Sequence, residues 1–442
     1  MAVTDWWLGE NGSGWATVVC RSNTNGVVTV GCNGQTFTAT ADTSVKDGIV
    51  KITVTGIGES RVPYTVDGVD GGTLRGKRAT GPWLIGTGSC WQAFAPDVTA
   101  SLLMRDYDLD LYFAMGDLPY ANAYMTLYGE TTIDATANMA TSKNAANYLA
   151  HHRQCRQLPG LKLLKRSVPF VYMADDHEYV MDDAAKDLAQ YQAAYPGATQ
   201  ADLDTAWAAA RAAVTAYSTG NPINVDSGID SDALYTRGTL GPLEWFLIDC
   251  IQYRTGKAAP DDANKHMLGM TQESWLINRM SASASTFKLI MTGKSFWRGG
   301  ANGDTWAAGA GGYQTALNRL LYGLRSVTGM LAVTGDQHRV SDQWVAADQI
   351  GAGYPAMSCL CACPTGVPYN PTSYTGYDSQ IRWRDNQRES NCPQTLENVA
   401  GLLRVTDTRV ERYLLGSING LRPFGYIDAG SNQVQYASQR VG

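Results

Sequence analysis

Six short apolar runs between residues 83 and 334 constrain this chain more than any other feature, because each stops abruptly on small or ionisable residues. They are Trp83–Gly86, Leu109–Met115, Val168–Met173, Leu243–Ile248, Phe287–Met291 and Met330–Thr334. Their length and composition read as β-strands. Between them lies helical patterning. Residues 201–217 are the strongest helix former in the chain. Residues 271–280 open on Thr271 as an expected N-cap and carry Glu273 early and Arg279 late, as helix ends prefer. Residues 313–326 repeat apolar side chains at helical spacing. Strands alternating with helices predict an α/β domain. The runs lead into Gly88-Ser89-Cys90, Gly116-Asp117-Leu118-Pro119-Tyr120, Asp175-Asp176-His177-Glu178, Asp249, Gly293-Lys294-Ser295 and Gly335-Asp336-Gln337-His338. Ligands in α/β sheets bind beyond the carboxyl ends of strands, so these endings are expected to converge on one site.

Residues 1–78 follow a different grammar. Val-, Thr- and Gly-rich runs at 15–20, 27–31, 35–40 and 50–55 are separated by Gly and Asn at intervals of about ten residues, the spacing of a β-sandwich. This first domain reads as a structural or positioning module, and residues 79–442 as the catalytic domain. Within the latter, a Gly/Ala-rich stretch at 298–312 is long enough for a lid or rim. Residues 341–397 read as irregular, and 402–406 with 410–415 as a closing hairpin.

The chain has 442 residues, 44% hydrophobic and 17% charged, which describes a folded protein rather than a disordered one. A net charge of -6 argues against general binding to nucleic acid or anionic membranes. No apolar run reaches the length of a transmembrane helix. The first residues lack the basic and apolar segments of a signal peptide, which leaves the compartment open. Nine cysteines give no disulfide framework by spacing. Cys20 and Cys32 are either bridged across two strands, which requires an oxidising compartment, or free. Cys359, Cys361 and Cys363 alternate, as buried small residues on one face of a strand do.

The residue types at the strand endings point to a metal. Asp117, Asp182, Asp336 and the Asp175/Asp176 pair are hard oxygen donors suited to Ca²⁺, Mg²⁺, Mn²⁺ or ferric iron. Cys90 and Tyr120 add a thiolate and a phenolate, which suit a redox-active or strongly Lewis-acidic ion. Two of the five histidines, His177 and His338, fall in these endings, as metal ligands or as a general acid for a leaving oxygen. His177 has the alternative of orienting a neighbouring carboxylate. Arg153 and Arg156 offer bidentate phosphate contacts, or a solvated helix face for at least one of them. Lys294-Ser295 imitates the end of a P-loop, but residue 288 is lysine where the first glycine is required.

The ordered set Gly88-Ser89-Cys90, Gly116-Asp117-x-x-Tyr120, Asp175-Asp176-His177-Glu178 and Gly335-Asp336-x-His338 resembles the PhoD-type alkaline phosphatases, metallophosphoesterases distantly related to purple acid phosphatases. Leu268-Gly269-x-x-Gln272-x-x-Trp275-Leu276 is similar to a helix start of that family. The resemblance implies an α/β fold of two sheets in a sandwich flanked by helices, preceded by a small N-terminal β-sandwich domain. It implies iron held by Cys90 and Tyr120, Asp117 bridging iron and calcium, and Asp336 completing these sites, with Asp182 as a further metal ligand; His338 joins the expected ligands on its residue type. Asp182 replaces an asparagine ligand of the family, which puts metal identity in doubt and admits other divalent metals. Ile251 stands where an arginine is usual. Arg254 keeps a later one, for phosphate or for an ion pair with Asp249. Ala174 replaces a tryptophan before the Asp-Asp-His-Glu run. The family is often exported.

The expected function is hydrolysis of phosphate esters by a metal-activated water or hydroxide, with His177 and Asp176 as catalytic residues and Arg153 and Arg254 binding substrate. The alternatives are a phosphodiesterase acting on phospholipid or teichoic-acid-like diesters, and a surface or virion binding protein with a vestigial metal site. A phosphoester is the expected partner; oligomeric state is left open.

Overall fold

A computed structural model of the chain describes residues 2–91, 98–119, 145–181, 184–223, 226, 229, 233–296, 306, 312–336, 340–345, 357–362, 381–384, 399–416, 420–431 and 435–436. Residues 3–74 fold into two antiparallel sheets. One contains β1 (Val3–Gly12), β2 (Trp15–Ser22) and β5 (Ile49–Thr55); the other contains β3 (Gly26–Cys32), β4 (Gln35–Ala41), β6 (Val62–Val66) and β7 (Val69–Leu74). Strand alternation sorts the side chains. Trp6, Leu8, Val18 and Cys20 point between the sheets to meet Val28, Val30, Cys32 and Tyr64. Trp7 and Val19 point the other way, into the core of the rest of the chain. Cys20 and Cys32 are buried free thiols, so the bridged alternative does not hold.

All six expected strands of the larger part form. β8 (Trp83–Gly88), β9 (Leu111–Met115) and β10 (Phe170–Met173) run parallel. β8 then pairs with the antiparallel meander β18 (Val399–Val405), β19 (Arg409–Gly416), β20 (Gly420–Asp428) and β21 (Gln435–Tyr436). The second sheet is built on parallel β12 (Leu243–Leu247), β13 (Phe287–Thr292), β14 (Met330–Thr334) and β16 (Met357–Ala362). It adds antiparallel β11 (Thr236–Leu240), β15 (Val340–Val345) and β17 (Ile381–Arg384). The expected hairpin is β18–β19, with Val405 opposite Val410. Residues 341–397, expected to be irregular, instead contribute most of three strands. Of the three alternating cysteines, Cys359 and Cys361 fall in β16, and Cys359 is buried.

The two seven-stranded sheets pack face to face. Trp245 and Leu247 join the core that holds Phe113, Met115 and Leu403, and the Trp245 ring meets Phe113 edge-on at 5.1 Å. Phe246 and Ile290, of opposite pleat, pack instead with Trp275, Leu276, Leu317 and Leu320 of the helices Gly269–Ala282 and Gln314–Gly323. Burial on both faces explains why these strands read as continuous apolar runs.

The first of these two helices begins two residues before Thr271, so Thr271 is not its N-cap. Gln272 anchors the start by donating to the carbonyls of Leu268 and Asp249 at 3.1 and 2.8 Å and accepting the Asp249 amide at 2.8 Å. The Gly/Ala-rich stretch at 298–312 lies almost wholly outside the described residues. Charge pairs tie the N-terminal sheets to the rest: Asp5 with the buried ammonium of Lys165, and Arg75 with Asp108 and Asp110 at 2.7 and 2.9 Å. No helix among the described residues is long and apolar enough to cross a membrane.

Candidate metal centre

The carboxyl ends of β8, β9, β10, β13 and β14 meet at one point, where backbone bonds lock the endings together. The Cys90 amide donates to the Gly116 carbonyl at 3.2 Å, Trp91 to Asp117 at 2.8 Å, and Gly335 to Gly293 at 2.9 Å. Glycine is required where the chains approach. A Cβ on Gly116, whose φ is +85°, would lie 2.4 Å from the Asp175 Cβ, and one on Gly293 would lie 2.4 Å from the Asp175 Cγ. Three non-glycine residues at these endings also adopt left-handed backbone: Cys90, Asp117 and Asp336, at φ of +59°, +54° and +71°. Such conformations cost free energy and persist where surrounding contacts enforce a particular side-chain direction.

The enforced direction is toward one another. Asp117, Asp175, Asp176 and Asp336 each bring an oxygen within 4.8 Å of the others. The first three are fully buried. The Cys90 thiol, also buried, lies 3.4 Å from Asp117 Oδ2. Burial pushes the Asp117 carboxyl well above its usual range, and Cys90 and the neighbouring carboxylates push it further. Asp175 is raised by burial too, with Lys294 opposing. For Asp176 the ammonium of Lys294 and the imidazole of His177 outweigh burial and hold the carboxyl down. Lys294, wholly buried, donates to Asp176 Oδ1 and Asp336 Oδ1, each at 2.7 Å, and stands 3.6 Å from Asp175 Oδ2.

These residues fit a metal. Both oxygens of Asp175 and Oδ1 of Asp117 are buried with no hydrogen-bond donor among the described residues. Buried carboxylate oxygens need a partner, and hard oxygen donors this close together suit a divalent or trivalent cation. The cluster can hold a metal ion.

The other expected residues are distributed as follows. Asp176 joins the cluster, and His177 is half-buried beside it. Arg254 is buried, donates from Nε to the Ala184 carbonyl at 2.6 Å, and lends its charge to both Asp176 and Asp249. Asp249 Oδ1 accepts the amides of Ile251 and Gln252 at 2.8 and 2.9 Å, closing its own turn. Arg153 is not gathered into the cluster; its guanidinium is held by Asp47, in the turn before β5. Arg156 lies on no solvated face. It is buried against the rings of Trp7, Phe170, Tyr172 and Tyr217. Tyr120, Asp182 and His338 lie outside the described residues.

Two residues at the centre, Lys294 and Glu178, carry no expected role from the sequence. Lys294 follows a strand, the same signal that marks the ligands, but its likeness to a P-loop end hides it. Glu178 accepts the backbone amides of Asp117, Leu118 and Asp175, and no sequence spacing announces such a role.

Fold and site define a class: a two-sheet α/β sandwich with a carboxylate centre where its parallel strands end. Residues 85–357 match the PhoD-like phosphatase family, and the chain belongs to it. Alkaline phosphatase D of Bacillus subtilis (strain 168) is 28% identical over an alignment of 277 residues that covers 57% of this chain and 45% of that protein. The chain therefore spans less than half the length of this curated relative. A solved structure of PhoD superposes with a TM-score of 0.73 at 16% identity, covering 99% of this chain and 92% of the other, which establishes the fold.

Proposed function

We propose that the chain is a metal-dependent hydrolase of phosphate esters. The observation that carries this reading is the convergence of Asp117, Asp175, Asp176 and Asp336 at the strand ends of a PhoD-family domain, with buried oxygens of Asp117 and Asp175 that have no donor among the described residues. Asp117 and Asp336, with Cys90, are the residues that would hold metal, and Asp175 and Asp176 extend the set. Iron beside calcium is the composition we favour, since the Cys90 thiol adjoins Asp117 and supplies one soft donor among hard ones. Tyr120, Asp182 and His338 complete the proposed ligand set. When bound, such ions supply an acidified water and positive charge that offsets the charge developing on phosphoryl oxygens.

The chain's own residues do the rest. Glu178 fixes the ends of β9 and β10 so that the ligand carboxylates keep their directions. His177, half-buried beside Asp176, is the proposed donor of a proton to the leaving oxygen. Arg254 holds positive charge near Asp176, where an anionic substrate is drawn. Arg153 is assigned to the module contact rather than to substrate, because Asp47 engages its guanidinium. Residues 1–78 act as a positioning module, through Asp5, Asp47 and Arg75.

The test is hydrolysis of a chromogenic phosphomonoester and a diester before chelation, after it, and after restoring calcium and iron. We expect activity that chelation removes and the metals restore. Full activity in the stripped protein contradicts the proposal, and a rate on the diester far above that on the monoester would reassign the substrate class. For iron, a visible tyrosinate band that Tyr120→Phe abolishes is expected; a colourless active protein argues for divalent ions alone.

A further inference from the structure

One buried cation already occupies the centre. Lys294 enters from the end of β13, and the absent side chain of Gly293 lets its backbone pass against Asp175. Its ammonium makes charge-assisted bonds of 2.7 Å to Asp176 and to Asp336 and lies 3.6 Å from Asp175, so it faces three of the four clustered carboxylates. None of its side chain reaches solvent. A metal bound by these same oxygens would sit 2.0–2.6 Å from them, within the volume the ammonium fills. Two cations cannot share that volume.

We propose that Lys294 is the placeholder cation of the centre: its ammonium holds Asp176 and Asp336 converged before metal arrives, and metal binding displaces it from those oxygens. The proposal rests on the reading of the cluster as a metal centre. It assigns Lys294 a positioning role and gives that role an unusual sign. Four clustered carboxylates repel one another, and an internal counter-charge lets the strand endings close in the metal-free chain. The same counter-charge competes with the incoming ion. Removing it should therefore weaken the stripped protein and strengthen its grip on metal, whereas loss of a merely structural contact would weaken both.

The experiment titrates Ca²⁺ into the chelator-stripped 442-residue chain by calorimetry, and measures thermal unfolding of the stripped and loaded forms, for wild type, Lys294→Gln and Lys294→Arg. Lys294→Gln is expected to bind Ca²⁺ at least about tenfold more tightly than wild type while its stripped form melts lower. Lys294→Arg, which keeps the charge and forks onto carboxylates, is expected to bind no more tightly than wild type. Equal or weaker Ca²⁺ binding by Lys294→Gln overturns the proposal. If that variant does not fold, tighter binding by Lys294→Arg than by wild type overturns it instead. The wild-type arm is separate: a wild type that takes up neither Ca²⁺ nor, in a parallel titration, iron contradicts the metal-centre reading itself.

Discussion

The carboxylate of Glu178 accepts the backbone amide of Asp117 at 2.9 Å, joining two strand endings that are 61 residues apart in the chain. Oε2 also accepts the Asp175 amide, and Oε1 the Leu118 amide at 2.7 Å. Burial lifts this carboxyl to about 7 while the three amides pull the other way. Glu178→Gln replaces one acceptor oxygen by an amide that itself donates, so at least one buried backbone N–H loses its partner. A loss of about 2–4 kcal/mol is expected in denaturant unfolding, together with weaker metal retention. An unchanged unfolding midpoint would show that Glu178 does not fix Asp117.

Asp5 and Lys165 make the buried charge pair between the N-terminal sheets and the helix Pro159–Ser167. Burial pushes the Lys165 ammonium down to about 7, with Asp5 opposing, so the pair depends on both members. Asp5→Leu alone leaves an uncompensated ammonium and should cost about 3–5 kcal/mol. Asp5→Leu with Lys165→Met should recover most of that loss. Additive losses in unfolding experiments would contradict this coupling.

His151 and His152 are buried side by side on the helix Ala145–Cys155. Burial lowers His151 to about 4. It lowers His152 as well, helped by Arg156 and His151 and opposed by Asp47; the His152 ring stacks on Tyr217 at 4.9 Å. The unfolded chain takes up protons near pH 6.5 where the folded chain does not, so stability is retained above pH 6.5 and falls as pH drops toward 4. The share of His151 is about 3 kcal/mol at the acid end. Unfolding free energy should decline between pH 6.5 and 5, and the double variant His151→Gln/His152→Gln should flatten that slope. An equal slope in the variant would assign the acid sensitivity elsewhere.

Local signals carried much of this in the sequence. The six strands, the helix at Gln200–Tyr217 and the converging endings were legible because an apolar run that stops on Gly-Asp or Asp-Asp-His-Glu leaves few alternatives. What was hidden is long-range. Arg153 reads as available for phosphate because its partner Asp47 lies 106 residues away, in the turn that precedes β5. Lys294 resembles a failed phosphate loop in sequence because its meaning comes from three carboxylates on two other strand endings. Residues 341–397 read as irregular because their strands pair out of chain order, β16 with β14, β15 with β16 and β17 with β15, rather than by a local hairpin pattern.

The most direct test of the metal-centre account is elemental metal content measured with phosphomonoester hydrolysis on the same preparations, for wild type and for Asp117→Asn/Asp336→Asn. The account predicts that wild type carries metal and hydrolyses the ester, and that the double variant, with circular dichroism unchanged, loses both. Hydrolysis at the wild-type rate by the folded double variant would contradict it.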